Sequence, residues 1–180
     1  TAPSLTPDGA WMYYFVNETA LNTGRLTLKR VKLDGAGRET LTVVDTPPDG
    51  LPGRPSHIYP LSTISSDGKR VALSAFFGDG ELEKAPFGLM VFDLESGGMN
   101  VVLTGDTWCN MHPQYCRATD AESAHDILVQ ENHGCEYGKD GAFTKLVGGD
   151  GADIHLVRDD GSNFRNLPWG RDGNEFCQGH

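Results

Sequence analysis

The chain has 180 residues, a formal net charge of −10, 23 glycines and 10 prolines. The negative charge argues against a nucleic-acid partner, because phosphates call for a basic face. No apolar stretch approaches the roughly 20 residues that span a bilayer, so we also expect no membrane partner. No signal peptide is visible at the amino terminus, and Thr1-Ala2-Pro3 can be a mature end left by cleavage.

Short β-rich runs joined by tight turns recur along the chain. In the first copy, an Asp-Gly turn at 8–9 precedes a β-rich run, and a second turn at 34–35 separates two more runs. The second copy has its turns at 67–68 and 96–97, and the third keeps the turn at 160–161. Glycine supplies the positive φ that such turns require. Each copy therefore predicts four strands, A to D, with a long loop between B and C.

Four strands repeated with a period of several tens of residues are typical of a propeller blade. We predict an all-β fold, a β-propeller with four-stranded antiparallel blades, of which about three are visible. The predicted blades occupy approximately 1–50, 51–107 and 108–172, and a further blade starts at 173–180. Propellers close with about four to eight blades, and three would leave sheet edges bare. We therefore expect the remaining propeller polypeptide to be needed to close the fold.

The antiparallel order sorts the loops onto two faces. The short A–B and C–D turns share one face, and the B–C loops and D–A connections share the other. The second face receives Arg54 and His57 on the first D–A connection, His112 before the third A strand, and Asn132 and His133 at the end of the third B strand. Small-molecule sites favour openings that are lined by loops, so this second face is the predicted site.

His112 and His133 are the predicted acid–base pair, because a neutral imidazole can accept a proton near neutral pH. Tyr115 and Arg117 join them as predicted catalytic residues, since they can donate to or neutralise a substrate carboxylate. For any single histidine, the alternative is a satisfied polar residue in a loop. The predicted substrate-binding residues are Arg54, His57, Gln114 and Asn132.

Cys177 and His180 are the predicted metal ligands. A thiolate and an imidazole three residues apart resemble half of a zinc site, whereas an imidazole with oxygen ligands suits Mn²⁺ or Ca²⁺. The expected cofactor is a divalent metal ion, Mn, Ca or Zn. The alternative is a buried Cys177 beside a histidine that begins a strand.

The other cysteines leave two states open. Cys109 and Cys116 can close a small loop by a disulfide if the protein is exported, and the alternative is four reduced, half-buried thiols. His155, inside a C strand, is predicted to be structural. Trp108 and Trp169 are predicted to be core residues, with stacking on a sugar ring as the alternative.

Four segments together resemble oligogalacturonate lyases, which are propeller enzymes of pectin breakdown: the run 112–115, the pair His133-Gly134, the strand 154–163 and the end 177–180. The resemblance covers roughly the last third of the chain, and the rest only through blade repeats that are also similar to TolB-type propellers. It implies about seven blades and β-elimination beside a uronate carboxylate. A divalent metal would grip the carboxylate, and a histidine would take the proton.

On this resemblance, His133 matches the base, with its His-Gly context shifted by about one residue, and His180 matches a metal-binding histidine. The segment 135–150 departs from the family as an insertion between strands B and C, and the family's later His and Gln ligands are absent. The His112/His133 pair is also similar to ulvan lyases, which use paired histidines with tyrosine and arginine. Either family implies an acidic polysaccharide or oligosaccharide as substrate.

The repeats alone fit two other functions. A non-catalytic TolB-like propeller would bind protein or glycan, bind no metal, and tolerate loss of His112 and His133. The propeller of a prolyl-oligopeptidase-type peptidase would need a hydrolase domain after it. The expected location is secreted or periplasmic, of a bacterial type.

Overall fold

The computed structural model describes residues 3–146 and 151–168. Within these ranges the elements are β-strands and one three-residue 3₁₀ turn at Ser123–His125. None of the helical structure in that part of the chain is long and apolar enough to cross a bilayer.

The first sheet places alternate apolar side chains of its two central strands in the core. Tyr13 and Phe15 on its second strand and Leu26 and Leu28 on its third are buried, because alternate residues of a strand point to one face. Its strands are antiparallel and follow chain order: β1 (Ser4–Leu5), β2 (Trp11–Glu18), β3 (Arg25–Lys32) and β4 (Glu39–Val44).

The second sheet is buried on both faces. Its two central strands have almost no exposed residue, because the other two sheets pack on either side of it. Its order is again sequential and antiparallel: β5 (His57–Ile64), β6 (Arg70–Phe76), β7 (Phe87–Asp93) and β8 (Met99–Gly105).

The third sheet contains an extra hairpin between its second and third strands, in the segment that the sequence marks as inserted. The hairpin joins β11 (Glu136–Tyr137) to β12 (Phe143–Lys145). The four strands of the sheet are β9 (Gln114–Tyr115), β10 (Asp126–Asn132), β13 (Ala152–Arg158) and β14 (Arg165–Asn166). We call the end of this sheet where β10 ends and β13 begins the loop-rich end, and the opposite end the short-turn end.

The three sheets stack face to face around two hydrophobic cores. One core joins the first sheet to the second, and the other joins the second to the third. The innermost strands also meet: the Ser4 and Ser62 hydroxyl oxygens lie 3.1 Å apart, and the Tyr115 N–H donates to Thr63 Oγ1 at 3.0 Å. These contacts confirm the predicted all-β class and its four-stranded antiparallel blades. The exact blade limits stay a prediction, and residues 173–180 lie outside the described ranges.

The disulfide pairs Cys109 with Cys135, and Cys116 is a free thiol. The predicted Cys109–Cys116 bond is therefore wrong, and so is the alternative of four reduced thiols. The reason is the strand between the two residues. The Cys116 N–H donates to Asp126 O at the start of β10, whereas Cys109 lies against the end of β10, so β9 holds the two thiols apart.

Candidate functional site

Strands β10 and β13 place several ionisable side chains on one face of the third sheet. In their antiparallel ladder, Glu131 stands opposite Asp153, and Val129 stands opposite His155. Residues that are directly opposite each other point to the same face, as do residues two apart along one strand. Val129 belongs to the core shared with the second sheet, so these polar residues also face that sheet. They lie at the loop-rich end of the third sheet.

Glu131, Asp153 and His155 form a compact group, which we call the carboxylate–histidine cluster. One nitrogen or oxygen atom from each lies within 4.8 Å of the others, and His155 Nε2 is 3.1 Å from Glu131 Oε2. This is a ligand set that could hold a metal ion. Two neighbours orient it: the Thr107 hydroxyl donates to Glu131 Oε1 at 2.6 Å, and Asn166 Oδ1 lies 2.9 Å from His155 Nδ1.

The cluster is largely shielded from water. His155 is 4% exposed and Asp153 is 8% exposed, and the His155 ring packs against Trp108 and Phe164 at centroid distances of 5.4 and 4.9 Å. Burial alone would lower the pKa of His155, but the hydrogen bonds to Glu131 and Asn166 and the charges of Glu131 and Asp153 together outweigh it, and the pKa is raised. The hydrogen bond between His155 and Glu131 lowers the pKa of Glu131 against the effect of its burial. The surroundings thus stabilise positive charge on the His155 ring.

His155 is the functional candidate that sequence reasoning missed, because it was predicted to be structural. Two signals could have found it. Glu131 and His133 are two residues apart on a predicted B strand, and Asp153 and His155 are two apart on the C strand that pairs with it. Trp108, in contrast, is buried in the core, as predicted.

His133 follows directly after β10 and contacts the same group. Its Nε2 lies 2.9 Å from Asp153 Oδ2, and its backbone N–H donates to Gly151 O at 3.0 Å. A carboxylate can only accept, so the proton sits on Nε2 and the lone pair of the neutral ring on Nδ1. The side chain is 15% exposed. Asp153 therefore orients His133 as it would orient a general base.

His112 lies elsewhere, on the connection that leads into β9. His112 and Asn110 both have left-handed backbone, with φ of 48° and 50°, a conformation that is uncommon outside glycine. His112 Nε2 is 2.8 Å from Asn110 Oδ1. It lines a cavity of about 330 Å³ between the inner strands of the second and third sheets, together with three other predicted residues, Gln114, Tyr115 and Arg117.

The structure gives the two histidines of the predicted pair different partners. His112 meets an amide on its own connection, whereas His133 meets a carboxylate on β13. Their backbones are still neighbours, because the Gln130 N–H donates to Met111 O at 2.8 Å. Joint acid–base action by the two stays a prediction.

Tyr115 and Asn132 have their polar atoms engaged inside the fold. The Tyr115 hydroxyl donates to Asp159 Oδ2 at 3.3 Å, at the short-turn end, and burial followed by the charge of Asp159 raises the pKa of this phenol. Asn132 is fully buried; its amide donates to Cys109 O at 2.5 Å and Asn110 O at 3.2 Å. The catalytic role of Tyr115 and the substrate-binding role of Asn132 stay predictions.

The other predicted site residues lie away from the cluster or outside the described ranges. Arg54 Nη1 donates to Gly24 O at 3.2 Å, and the exposed His57 ring packs edge to face on Tyr59 at 5.6 Å. Their substrate-binding roles stay predictions. Cys177, His180 and Trp169 fall outside the described residues.

A second cavity, of about 350 Å³, opens beside the His133-Gly134 turn. Tyr137 forms part of its wall and donates to Ala85 O at 3.1 Å, and burial raises the pKa of this phenol to about 12. At the rim, Lys84 Nζ lies 3.7 Å from Asp106 Oδ2. The lining also includes Thr107, Asn132, Gly134 and Cys135. The cavity thus adjoins both the cluster, through Thr107, and the candidate base.

No protein-family model and no curated protein matches this sequence. Among solved structures, it is similar to an oligogalacturonate lyase in complex with manganese, at 21% identity and a TM-score of 0.57. An oligogalacturonate lyase from Vibrio parahaemolyticus matches at 19% identity with the same TM-score. The β-propeller domain of the Trilobed protease from Pyrococcus furiosus matches at 11% identity and a TM-score of 0.51.

The chain folds as part of a β-propeller. The matches cover 91%, 91% and 93% of this chain, and identities this low show the fold alone. The chain spans 39% and 38% of the two lyases' lengths and 42% of the protease domain's. The described sheets are consecutive blades of such a propeller, each with four antiparallel strands.

Proposed function

We propose that this chain is part of a propeller-fold lyase that cleaves uronic-acid-containing glycans, such as oligogalacturonate or ulvan, by β-elimination. The observation that carries the proposal is the 2.9 Å contact between His133 Nε2 and Asp153 Oδ2 at the loop-rich end. It leaves a basic Nδ1 on a partly exposed imidazole beside a cavity. The likeness to two oligogalacturonate lyases supports the same reaction class.

The proposed reaction transfers two protons and breaks two substrate bonds, one C–H and one C–O. His133 Nδ1 takes the proton from the carbon next to the uronate carboxylate, the electron pair forms a C=C bond, and the glycosidic C–O bond at the next carbon breaks. The leaving oxygen takes a proton from an acid, for which His112 is the predicted donor. Arg117, exposed in the His112 cavity, is a predicted partner for the carboxylate.

A divalent metal ion would neutralise the charge that develops on the carboxylate as the proton leaves. The manganese complex of one similar lyase supports a divalent ion in this role. His180 and Cys177 remain its predicted ligands. A secreted or periplasmic location is proposed as well, and the Cys109–Cys135 disulfide supports it because such bonds persist in oxidising compartments.

The test is an incubation of the complete protein with oligogalacturonate, ulvan and other uronic-acid polymers while the absorbance of unsaturated product is followed. We expect product from at least one polymer, and a folded but inactive His133→Ala variant. His125→Ala is the matched control, because it changes a histidine at the short-turn end. No product on any uronic-acid polymer would remove the proposal.

The alternative function is a non-catalytic propeller that binds protein or glycan. The observation that favours it is the match to the propeller domain of a protease, which covers 93% of this chain at a TM-score of 0.51. Such a module would bind its partner without turnover, and its affinity would be unchanged in His112→Ala and His133→Ala variants. Binding measurements on these two variants therefore separate the two functions.

A further inference from the structure

We propose that Glu131, Asp153 and His155 form a divalent metal site in the wall between the second and third blades, of a kind that suits Mn²⁺ or Zn²⁺. The site is distinct from the ligands predicted at Cys177 and His180. It does not depend on the proposed lyase reaction, because metal binding can be measured without a glycan.

The first argument is the meeting of electron-pair donors. Asn166 Oδ1 lies 2.9 Å from His155 Nδ1 and Glu131 Oε2 lies 3.1 Å from His155 Nε2, so both ring nitrogens face oxygen atoms. A neutral imidazole has one N–H, which can donate to only one of these two oxygen atoms. The other nitrogen then presents its lone pair to an oxygen acceptor, unless an extra proton or a metal ion lies there.

The second argument is the repulsion between the two carboxylates. Glu131 and Asp153 stand directly opposite each other in the β10–β13 ladder, where like charges destabilise a sheet. Burial makes the repulsion stronger, because water screens it poorly there. A divalent cation bound by both carboxylates would turn this repulsion into attraction.

The third argument is the chemistry of the ligands. One imidazole nitrogen with two carboxylate oxygens suits Mn²⁺ or Zn²⁺, whereas Ca²⁺ and Mg²⁺ prefer oxygen alone. Ligand atoms about 2.0–2.2 Å from one ion lie roughly 3–4.4 Å from one another. The 3.1 Å separation of His155 and Glu131 is already of this size, and all three ligand atoms lie within 4.8 Å.

The fourth argument is that every ligand is oriented by a neighbour outside the cluster. Thr107 donates to the other oxygen of Glu131, Asn166 holds the His155 ring, and His133 contacts Asp153 Oδ2 at 2.9 Å. Partners of this kind fix the direction of metal ligands and raise affinity. The rings of Trp108 and Phe164 pack against the His155 ring as well.

The proposal is tested on the complete protein, stripped with a chelator and titrated with MnCl₂ or ZnCl₂ by calorimetry. We expect one ion per chain to be lost in His155→Gln and Glu131→Gln, with folding checked by circular dichroism. Thr107→Val keeps all three ligands and should weaken binding about ten- to a hundredfold. In a protein that also carries His180→Ala and Cys177→Ala, nitrogen coupling in the electron spin resonance of bound Mn²⁺ should disappear when His155→Gln is added.

The matched control is His180→Ala with Cys177→Ala, which removes the other predicted ligands and should leave the ion at the cluster bound. If the metal stoichiometry is the same in wild type, His155→Gln and Glu131→Gln, the proposal is overturned and a proton holds the cluster together. The proposal is equally overturned if the stripped protein takes up no Mn²⁺ and no Zn²⁺.

Discussion

The amide of Asn132 donates to the backbone carbonyl of Cys109 at 2.5 Å. Through this contact, the end of β10, which precedes His133, holds the connection on which His112 lies. The same amide reaches Asn110 O, and Asn132 Oδ1 accepts from Gln130. Asn132, which the sequence predicts as a substrate contact, thus also joins the end of β10 to the connection that carries His112.

We expect Asn132→Ala to lower the free energy of unfolding by about 1–3 kcal/mol, because it leaves buried carbonyls of the connection without a donor. Urea unfolding of wild type and variant measures the difference. Asn100→Ala is the control, since Asn100 is an exposed residue of β8. Equal loss of stability in both variants would show that the Asn132 contacts add nothing specific.

The disulfide stabilises the same region covalently. It closes a loop with a sequence separation of 26 between the connection and the residue after Gly134. Loops of this size predict a loss of about 3 kcal/mol when the bond is removed, since the unfolded chain regains its freedom. We expect this loss in Cys109→Ser/Cys135→Ser, measured by urea unfolding without reductant. Cys116→Ser should be close to wild type, and a comparable loss there would contradict the assigned pairing.

Acid should weaken the fold through the turn aspartates. The Asp93 carboxylate accepts the Ser96 N–H at 2.7 Å and then the Ser96 hydroxyl at 2.9 Å, and these bonds lower its pKa. The hydroxyl and N–H of Ser162 lower the pKa of Asp160 in the corresponding turn of the third blade.

A lowered pKa in the folded state has a definite sign for stability. The ionised Asp93 carboxylate contributes its full stabilisation above the ordinary pKa of 3.8, and this stabilisation is lost as the pH falls through the lower pKa of Asp93 in the folded protein. We therefore expect urea midpoints to be steady above that value and to fall below it, with a smaller fall in Asp93→Asn. If the urea midpoint of Asp93→Asn changes with pH in the same way as that of wild type, Asp93 does not cause the loss of stability in acid.

Much of the fold could be predicted, because its signals are local. The Asp-Gly and Ser-Gly turns locate the ends of strands, and Gly35 and Gly97 take the positive φ, 86° and 76°, that their turns require. The position of the insertion could be predicted, but its hairpin could not, because the two short strands show no strong alternation of apolar and polar residues.

The cluster and the disulfide could not be predicted in the same way, because both depend on register. Only the pairing of Glu131 with Asp153 shows that they and His155 share a face. Likewise, Cys109 meets Cys135 because the connection runs back along β10, with the Asn132 N–H donating to Thr107 O. Sequence separation favours Cys116 as the partner of Cys109, but β9 lies between these two residues and keeps their thiols apart.

The most direct test of the proposed lyase is a comparison of wild type with His133→Gln in the formation of unsaturated product from a uronic-acid polymer. Loss of a general base costs about 10²–10⁴-fold in rate, so we expect a drop of that size in kcat while the variant stays folded. A His133→Gln enzyme that forms product as fast as wild type would contradict the proposed mechanism.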